Sequence, residues 1–147
     1  MSKSQKILIK QFDTTLPLPC YKTTGAAAFD LAVRQDVEIA PHSTGIVPLN
    51  VAIKPPDGHW ALLAARSSLW KRGLMLANGL GIMDQDYCGN EDEYRAVVYN
   101  FTAEVVRIEK GDRIAQVVIL PYAQWPIETV ENLDSPSRGG FGTTGIK

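Results

Sequence analysis

Short apolar runs alternate with turn residues along the whole chain, and no long segment repeats its apolar positions at the helical period. The runs Lys6–Gln11, Asp36–Ile39, Gly45–Ile53, His59–Ala65, Tyr94–Phe101, Glu104–Ile108 and Arg113–Leu120 are therefore the predicted strands. Val, Ile and Tyr recur in them, residue types that suit a pleated, half-buried surface. Pro41-His42-Ser43, Pro55-Pro56-Asp57-Gly58 and Lys110-Gly111-Asp112 supply turns between them. Many short strands at a spacing of roughly 8–12 residues predict an all-β sandwich or closed barrel. One short helix is expected near Ser67–Arg72, with Ser67 capping its start. Between Ala77 and Gly89 two apolar runs flank a Gly-rich bend, which predicts a β-hairpin.

At 147 residues the chain fits one domain, residues 1–147, with a core large enough to stand without disulfides. Its last stretch, Asp134–Lys147, is rich in Gly and Ser/Thr and holds few aliphatic side chains, so a mobile arm is expected there. A net charge of −1 argues against wrapping a nucleic-acid backbone, whereas a small phosphorylated ligand needs only a few local cations. Cys20 and Cys88 show no paired spacing and read as reduced thiols. Ile7-Leu8-Ile9 is too short for a signal segment and no stretch is long enough to span a membrane, so the expected compartment is the cytoplasm.

Five segments carry chemistry. In Gly25-Ala-Ala-Ala-Phe-Asp30-Leu31 the Asp30 carboxylate either satisfies a turn or meets a cation. Arg66-Ser67-Ser68 at a helix start offers an anion cradle, against the plainer reading of a solvated Arg beside a cap. The hairpin segment carries Asn78, Asp84, Asp86 and Tyr87. A calcium loop starting at Asp84 fails on spacing, because Arg95 stands where a bidentate Glu is required. A carboxylate in a hairpin beside a Tyr suits a base that activates water, and the competing readings are a turn-stabilising Asp84 and a half-buried Tyr87 ring. In Lys110-Gly-Asp-Arg-Ile-Ala-Gln116, Asp112 and Arg113 can pair with each other, and Gln116 can face a ligand or a neighbouring backbone. In the arm, Arg138 supplies charge, Phe141 a stacking face, and Gly142 with Thr143 backbone and hydroxyl donors for phosphate.

Taken in order, these five segments resemble the motifs of the trimeric dUTP pyrophosphatase (dUTPase) family from about Gly25 to Gly145: Ala-Ala-Ala-Phe-Asp-Leu, Arg-Ser-Ser-Leu, Gly-Ile-Met-Asp-Gln-Asp-Tyr-Cys-Gly, Gly-Asp-Arg-Ile-Ala-Gln and Arg-Gly-Gly-Phe-Gly-Thr-Thr-Gly. The resemblance implies a jelly-roll barrel, a homotrimer with sites at subunit interfaces, and hydrolysis of dUTP to dUMP and pyrophosphate. It implies Asp84 as general base, and Arg66, Ser67, Ser68 and Gln116 on the phosphates. Asn78 would read uracil, Tyr87 would pack on the deoxyribose, and Phe141 would stack on the base. Arg138, Gly142 and Thr143 would close over the phosphates. Mg²⁺ would be held mainly by the triphosphate, with Asp30 acting on it through water. Four departures from the family pattern are visible: Ala28 where Gly is usual, Cys88 after Tyr87, an unusually long acidic stretch at Asn90–Glu93, and Arg138 only three residues before Phe141 where many members have a longer Gly-rich spacer.

Two other functions share part of this pattern. A dCTP deaminase, or its bifunctional form, has the same fold but carries a Glu two residues before its Tyr-Asn pair, where this chain has Val97. A non-catalytic nucleotide sensor would have lost the base, and Asp84 is present.

Overall fold

The computed structural model describes residues 5–143 and 145. The described residues form eleven strands: β1 (Leu8–Gln11), β2 (Phe29–Ala32), β3 (Val37–Ile39), β4 (Thr44–Pro48), β5 (Val51–Lys54), β6 (His59–Ala65), β7 (Leu74–Leu76), β8 (Gly81–Met83), β9 (Arg95–Asn100), β10 (Val106–Ile108) and β11 (Arg113–Pro121). All pairings are antiparallel. They form a four-stranded sheet in the order β2-β11-β6-β8, a three-stranded sheet β4-β9-β7, and two ribbons, β1-β5 and β3-β10. This is the expected all-β class, a jelly-roll-like barrel in which strands distant in sequence pair across a shared core. Among the described residues no helix is long and apolar enough to cross a membrane.

Alternation of side chains builds the core. On β9, Ala96, Val98 and Asn100 point inward while Arg95, Val97 and Tyr99 point outward. Phe29 and Leu31 of β2 do the same, leaving Asp30 on the outer face. Leu31, Val47, Ile53, Leu74 and Val98 are all fully buried. Asn100, also fully buried, donates through Nδ2 to the carbonyls of Ile39 and Glu104 at 3.0 and 2.7 Å, and its Oδ1 accepts the Thr102 N–H at 2.9 Å. A buried amide with its partners supplied in this way fixes the turn after β9 rather than destabilising the core.

Several expectations need correction. The single strand expected over Gly45–Ile53 is two, because Asn50 takes a left-handed φ of 69° and the chain turns from one sheet into another there. The Asn50 side chain holds that corner: Oδ1 accepts the Asp13 N–H at 2.7 Å and Nδ2 donates to the Asp13 carbonyl at 3.0 Å. The expected helix over Ser67–Arg72 is one turn of 3-10 helix, Leu69–Arg72. Ser68, not Ser67, occupies its N-cap and makes no side-chain cap bond. The expected hairpin across Ala77–Gly89 is not a paired ladder: β7 pairs with β9 and β8 with β6, so the bend crosses between sheets. Phe29–Ala32, Leu74–Leu76 and Gly81–Met83 are strands that were not expected.

Candidate active site

Three of the five segments meet on the outer face of the four-stranded sheet. Asp30 on β2 stands opposite Gln116 on β11, which stands opposite Ala64 on β6. The register of β11 against β2 shifts between Arg113 and Ala115, so Ile114 and Ala115 are both buried and Arg113 is brought round to the face of Asp30. Asp30 is therefore neither a turn residue nor solvated. One carboxylate oxygen pairs with Arg66 Nε at 3.1 Å and the other with Arg113 Nη1 at 3.3 Å. Arg113 does not pair with Asp112, which instead holds Arg72 at 2.8 Å. Arg66 also donates through Nη1 to the Arg113 carbonyl at 3.1 Å, and its N–H donates to the Ile114 carbonyl at 3.0 Å. Gln116 Nε2 donates one hydrogen to the Ala65 carbonyl at 2.9 Å, so its second N–H stays available as a donor. Ser67 and Ser68 are exposed beside this group, at the start of the short helical turn.

Such a cluster can receive an anion. Two guanidiniums share one carboxylate, so a net positive charge remains, and Arg66 keeps N–H donors that no group within the described residues uses. Asp30 holds both guanidiniums beside one another, and the Arg66 Nη1 bond to the Arg113 carbonyl adds a second restraint, which lowers the ordering entropy a ligand must offset. Sequence reasoning missed Arg113, whose neighbour Asp112 offered a nearer partner.

Asp84 lies elsewhere. It follows β8, whose Met83 stands opposite Ala61 of β6, so Asp84 is level with Trp60. From Trp60 to Arg66 the strand rises about 20 Å at ~3.3 Å per residue. Asp84 lines a cleft of about 760 Å³ with Lys54, Trp60, Ile82, Gln85, Asp86, Tyr122 and Gln124. Its carbonyl accepts the Tyr87 N–H at 3.0 Å, closing a turn, while its exposed carboxylate has no hydrogen-bond partner among the described residues. Asn78 closes the preceding bend, Nδ2 donating to the Leu80 carbonyl at 3.1 Å. Tyr87 is 39 % exposed, its ring stacks on buried Tyr94 at 6.1 Å, and its hydroxyl donates to the Glu93 carbonyl at 3.2 Å.

The arm stands apart from both. Residues 134–139 are exposed throughout, and Phe141 is fully exposed with a left-handed φ of 51°. The Thr143 hydroxyl accepts the Gly140 N–H at 2.7 Å in a compact turn where Gly139 and Gly142 have φ of 83° and 87°, values that favour glycine. Arg138, Phe141, Gly142 and Thr143 therefore lie near one another in sequence but in contact with neither half of the site.

The family profile described as dUTPase matches residues 14–145. The chain belongs to the dUTPase family. It is 40% identical over 148 residues to the deoxyuridine 5'-triphosphate nucleotidohydrolase of Hahella chejuensis, covering 97% of this chain and 95% of that one. Among solved structures it is similar to the dUTPase of Streptococcus mutans, with a TM-score of 0.73, 32% identity, and coverage of 80% of this chain and 98% of that chain. A Staphylococcus bacteriophage 80alpha dUTPase with dUPNHPP shares the fold at a TM-score of 0.84 and 23% identity, covering 96% of this chain and 99% of that chain. All five segments of this family member lie within the matched span.

Proposed function

We propose that this chain hydrolyses dUTP to dUMP and pyrophosphate. Family membership together with an unpartnered Asp84 carboxylate on the rim of a cleft carries the reading. Asp84 orients a water and takes its proton as the water attacks the α-phosphorus; the bond from that phosphorus to the bridging oxygen breaks, and pyrophosphate leaves. Arg66, Ser67, Ser68 and Gln116 hold the phosphates, with Asp30 and Arg113 setting the plane of Arg66. Asn78 and the backbone of its bend read the uracil edge, and Tyr87 packs on the deoxyribose. Phe141 covers the base, while Arg138, Gly142 and Thr143 close on the phosphates as a lid formed by residues 134–143 that orders on binding; residues 144, 146 and 147 of the expected arm lie outside the described residues.

The site is assembled from more than one copy. Within one chain Asp84 and Arg66 are separated by about 20 Å along β6, further than their side chains can bridge. Apolar side chains also lie uncovered: Ile46 beside Val97, Met75 beside Tyr99, and Trp125, Ile127 and Leu133 along the segment after β11. Surface of that extent is characteristic of an interface. A homotrimer supplies the arginine cradle, the Asp84 cleft and the arm to each site from different subunits.

Among the described residues no group of three or more His, Cys, Asp or Glu side chains could cage a metal. Asp30, the nearest carboxylate to the cradle, is committed to two arginines. These residues fit a Mg²⁺ that arrives on the triphosphate, with Asp30 touching it through water. When bound, the ion offsets phosphate charge and orients the α-phosphate. The free thiols Cys20 and Cys88 fit the reducing cytoplasm. Val97, at the position where the deaminase branch carries its Glu, pairs with Ile46 in the β4-β9-β7 sheet, whereas Asp84 follows β8 of the four-stranded sheet.

Asp84→Asn tests the mechanism. It should retain nucleotide binding and lose roughly 10²–10⁴ in rate, the scale of a positioned base. Turnover near the wild-type rate would remove Asp84 from that role.

A further inference from the structure

The acidic stretch Asn90–Glu93 looks from sequence like a solvated insertion, and part of it is. Glu91 is exposed, and Asp92 only closes its own turn by accepting the Gly89 N–H at 2.7 Å. Glu93 is different: only 4 % of it is exposed. Its Oε1 accepts from Arg34 Nε at 2.7 Å and from the Asn50 N–H at 3.0 Å, and its Oε2 accepts from Arg34 Nη2 at 3.0 Å. The Asn50 N–H needs this partner because the left-handed corner between β4 and β5 takes it out of a ladder. The carboxylate is thus anchored to two separate parts of the barrel, the end of β2 and the β4–β5 corner.

The backbone of the same residue faces the site. The Glu93 carbonyl accepts the Tyr87 hydroxyl at 3.2 Å. The next residue, Tyr94, is locked by its N–H to the Val51 carbonyl at 2.7 Å and by its carbonyl from the Leu49 N–H at 2.9 Å. Its buried ring stacks on Tyr87 with an interplanar angle of 28°. Two consecutive residues therefore fix Tyr87, one at its hydroxyl and one across its ring face. A buried carboxylate is costly to keep even when paired, and this one satisfies the Arg34 guanidinium and the Asn50 N–H together.

We infer that Glu93 is a positioning residue for sugar selection: its anchored carboxylate holds its own carbonyl in place, and that carbonyl holds the Tyr87 ring where a 2′-hydroxyl would clash. The inference rests on the proposed packing of Tyr87 against the deoxyribose. It concerns discrimination between dUTP and UTP, not the chemical step.

Five proteins test it: wild type, Glu93→Gln, Tyr87→Phe, the double variant and Tyr87→Ala. The readout is the ratio of kcat/KM for dUTP to that for UTP, which a merely structural role would leave unchanged while both values fell together. Glu93→Gln should lower the ratio by roughly 3- to 10-fold, the scale of one net hydrogen bond. Tyr87→Phe should lower it by a similar factor. The double variant should fall no further than the lower single variant, because both act through one contact. Tyr87→Ala should lower the ratio most. A wild-type ratio in Glu93→Gln with a relaxed ratio in Tyr87→Ala overturns the inference alone, as do multiplying effects in the double variant. A wild-type ratio in Tyr87→Ala overturns the reading of Tyr87 and the inference with it. Should Glu93→Gln fail to fold, Arg34→Lys removes the paired donors while keeping the charge, and it must lower the ratio for the inference to stand.

Discussion

Mixing two inactive variants tests the shared site. Asp84→Asn removes the base but leaves the arginine cradle, and Arg66→Ala does the reverse. Because about 20 Å of strand separates the two positions in one chain, the proposed site takes Arg66 from one copy and Asp84 from another. In trimers assembled at random from equal amounts, about half the sites have an intact arginine, and about half of those meet an intact Asp84. The mixture should therefore recover about a quarter of wild-type activity, far above either variant alone. Denaturing and refolding the mixture, with native mass spectrometry to confirm mixed trimers, gives the assay. Pyrophosphate release from dUTP gives the number. Mixed trimers with no more activity than the two parents would refute the shared site, since residues acting within one chain cannot complement each other.

Stopping the chain after Leu133 should leave assembly and Tm near wild type, because residues 134–143 contact nothing in the barrel, yet cost most of the rate; a truncated enzyme with full kcat/KM would sink the lid. Asp36 gives a pH test: the Lys110 N–H, and then Arg107, hold its carboxyl below the ordinary 3.8. A lowered folded-state value stabilises above that ordinary value and is lost as pH falls through the folded one. Asp36→Asn should thus lower Tm at neutral pH, and the gap to wild type should shrink below about pH 4; a gap that stays constant down to pH 2 would contradict this.

Fold class was legible because long strands advertise themselves. β6, β9 and β11 have enough residues for alternation to show, and their ends fell within a residue or two of expectation. β7 and β8 have three residues each, too few for a period to emerge. The break in Gly45–Ile53 was hidden because apolar residues flank the single polar Asn50 on both sides, and only the tertiary contacts of Asn50 with Asp13 and Glu93 make it a corner. The site divides in the same way. Asp84 and Tyr87 could be picked out because a turn and a hairpin-like motif are local. The partners of Asp30 could not, since β2 and β11 come together only through the sheet and a bulge turns Arg113 onto the right face. The inward turn of Glu93 was not legible, because a run of acids does not reveal which member is buried. Family likeness supplied roles for the arm that its own residues, making only local turns, do not display.

Substrate choice tests the central claim most directly. Pyrophosphate and ammonia release should be measured for dUTP, dCTP, dTTP and UTP, each with and without Mg²⁺. Pyrophosphate should come from dUTP in strong preference to the other three, enhanced by Mg²⁺, with no ammonia from dCTP. Ammonia from dCTP, or equal turnover of dUTP and dTTP, would contradict it.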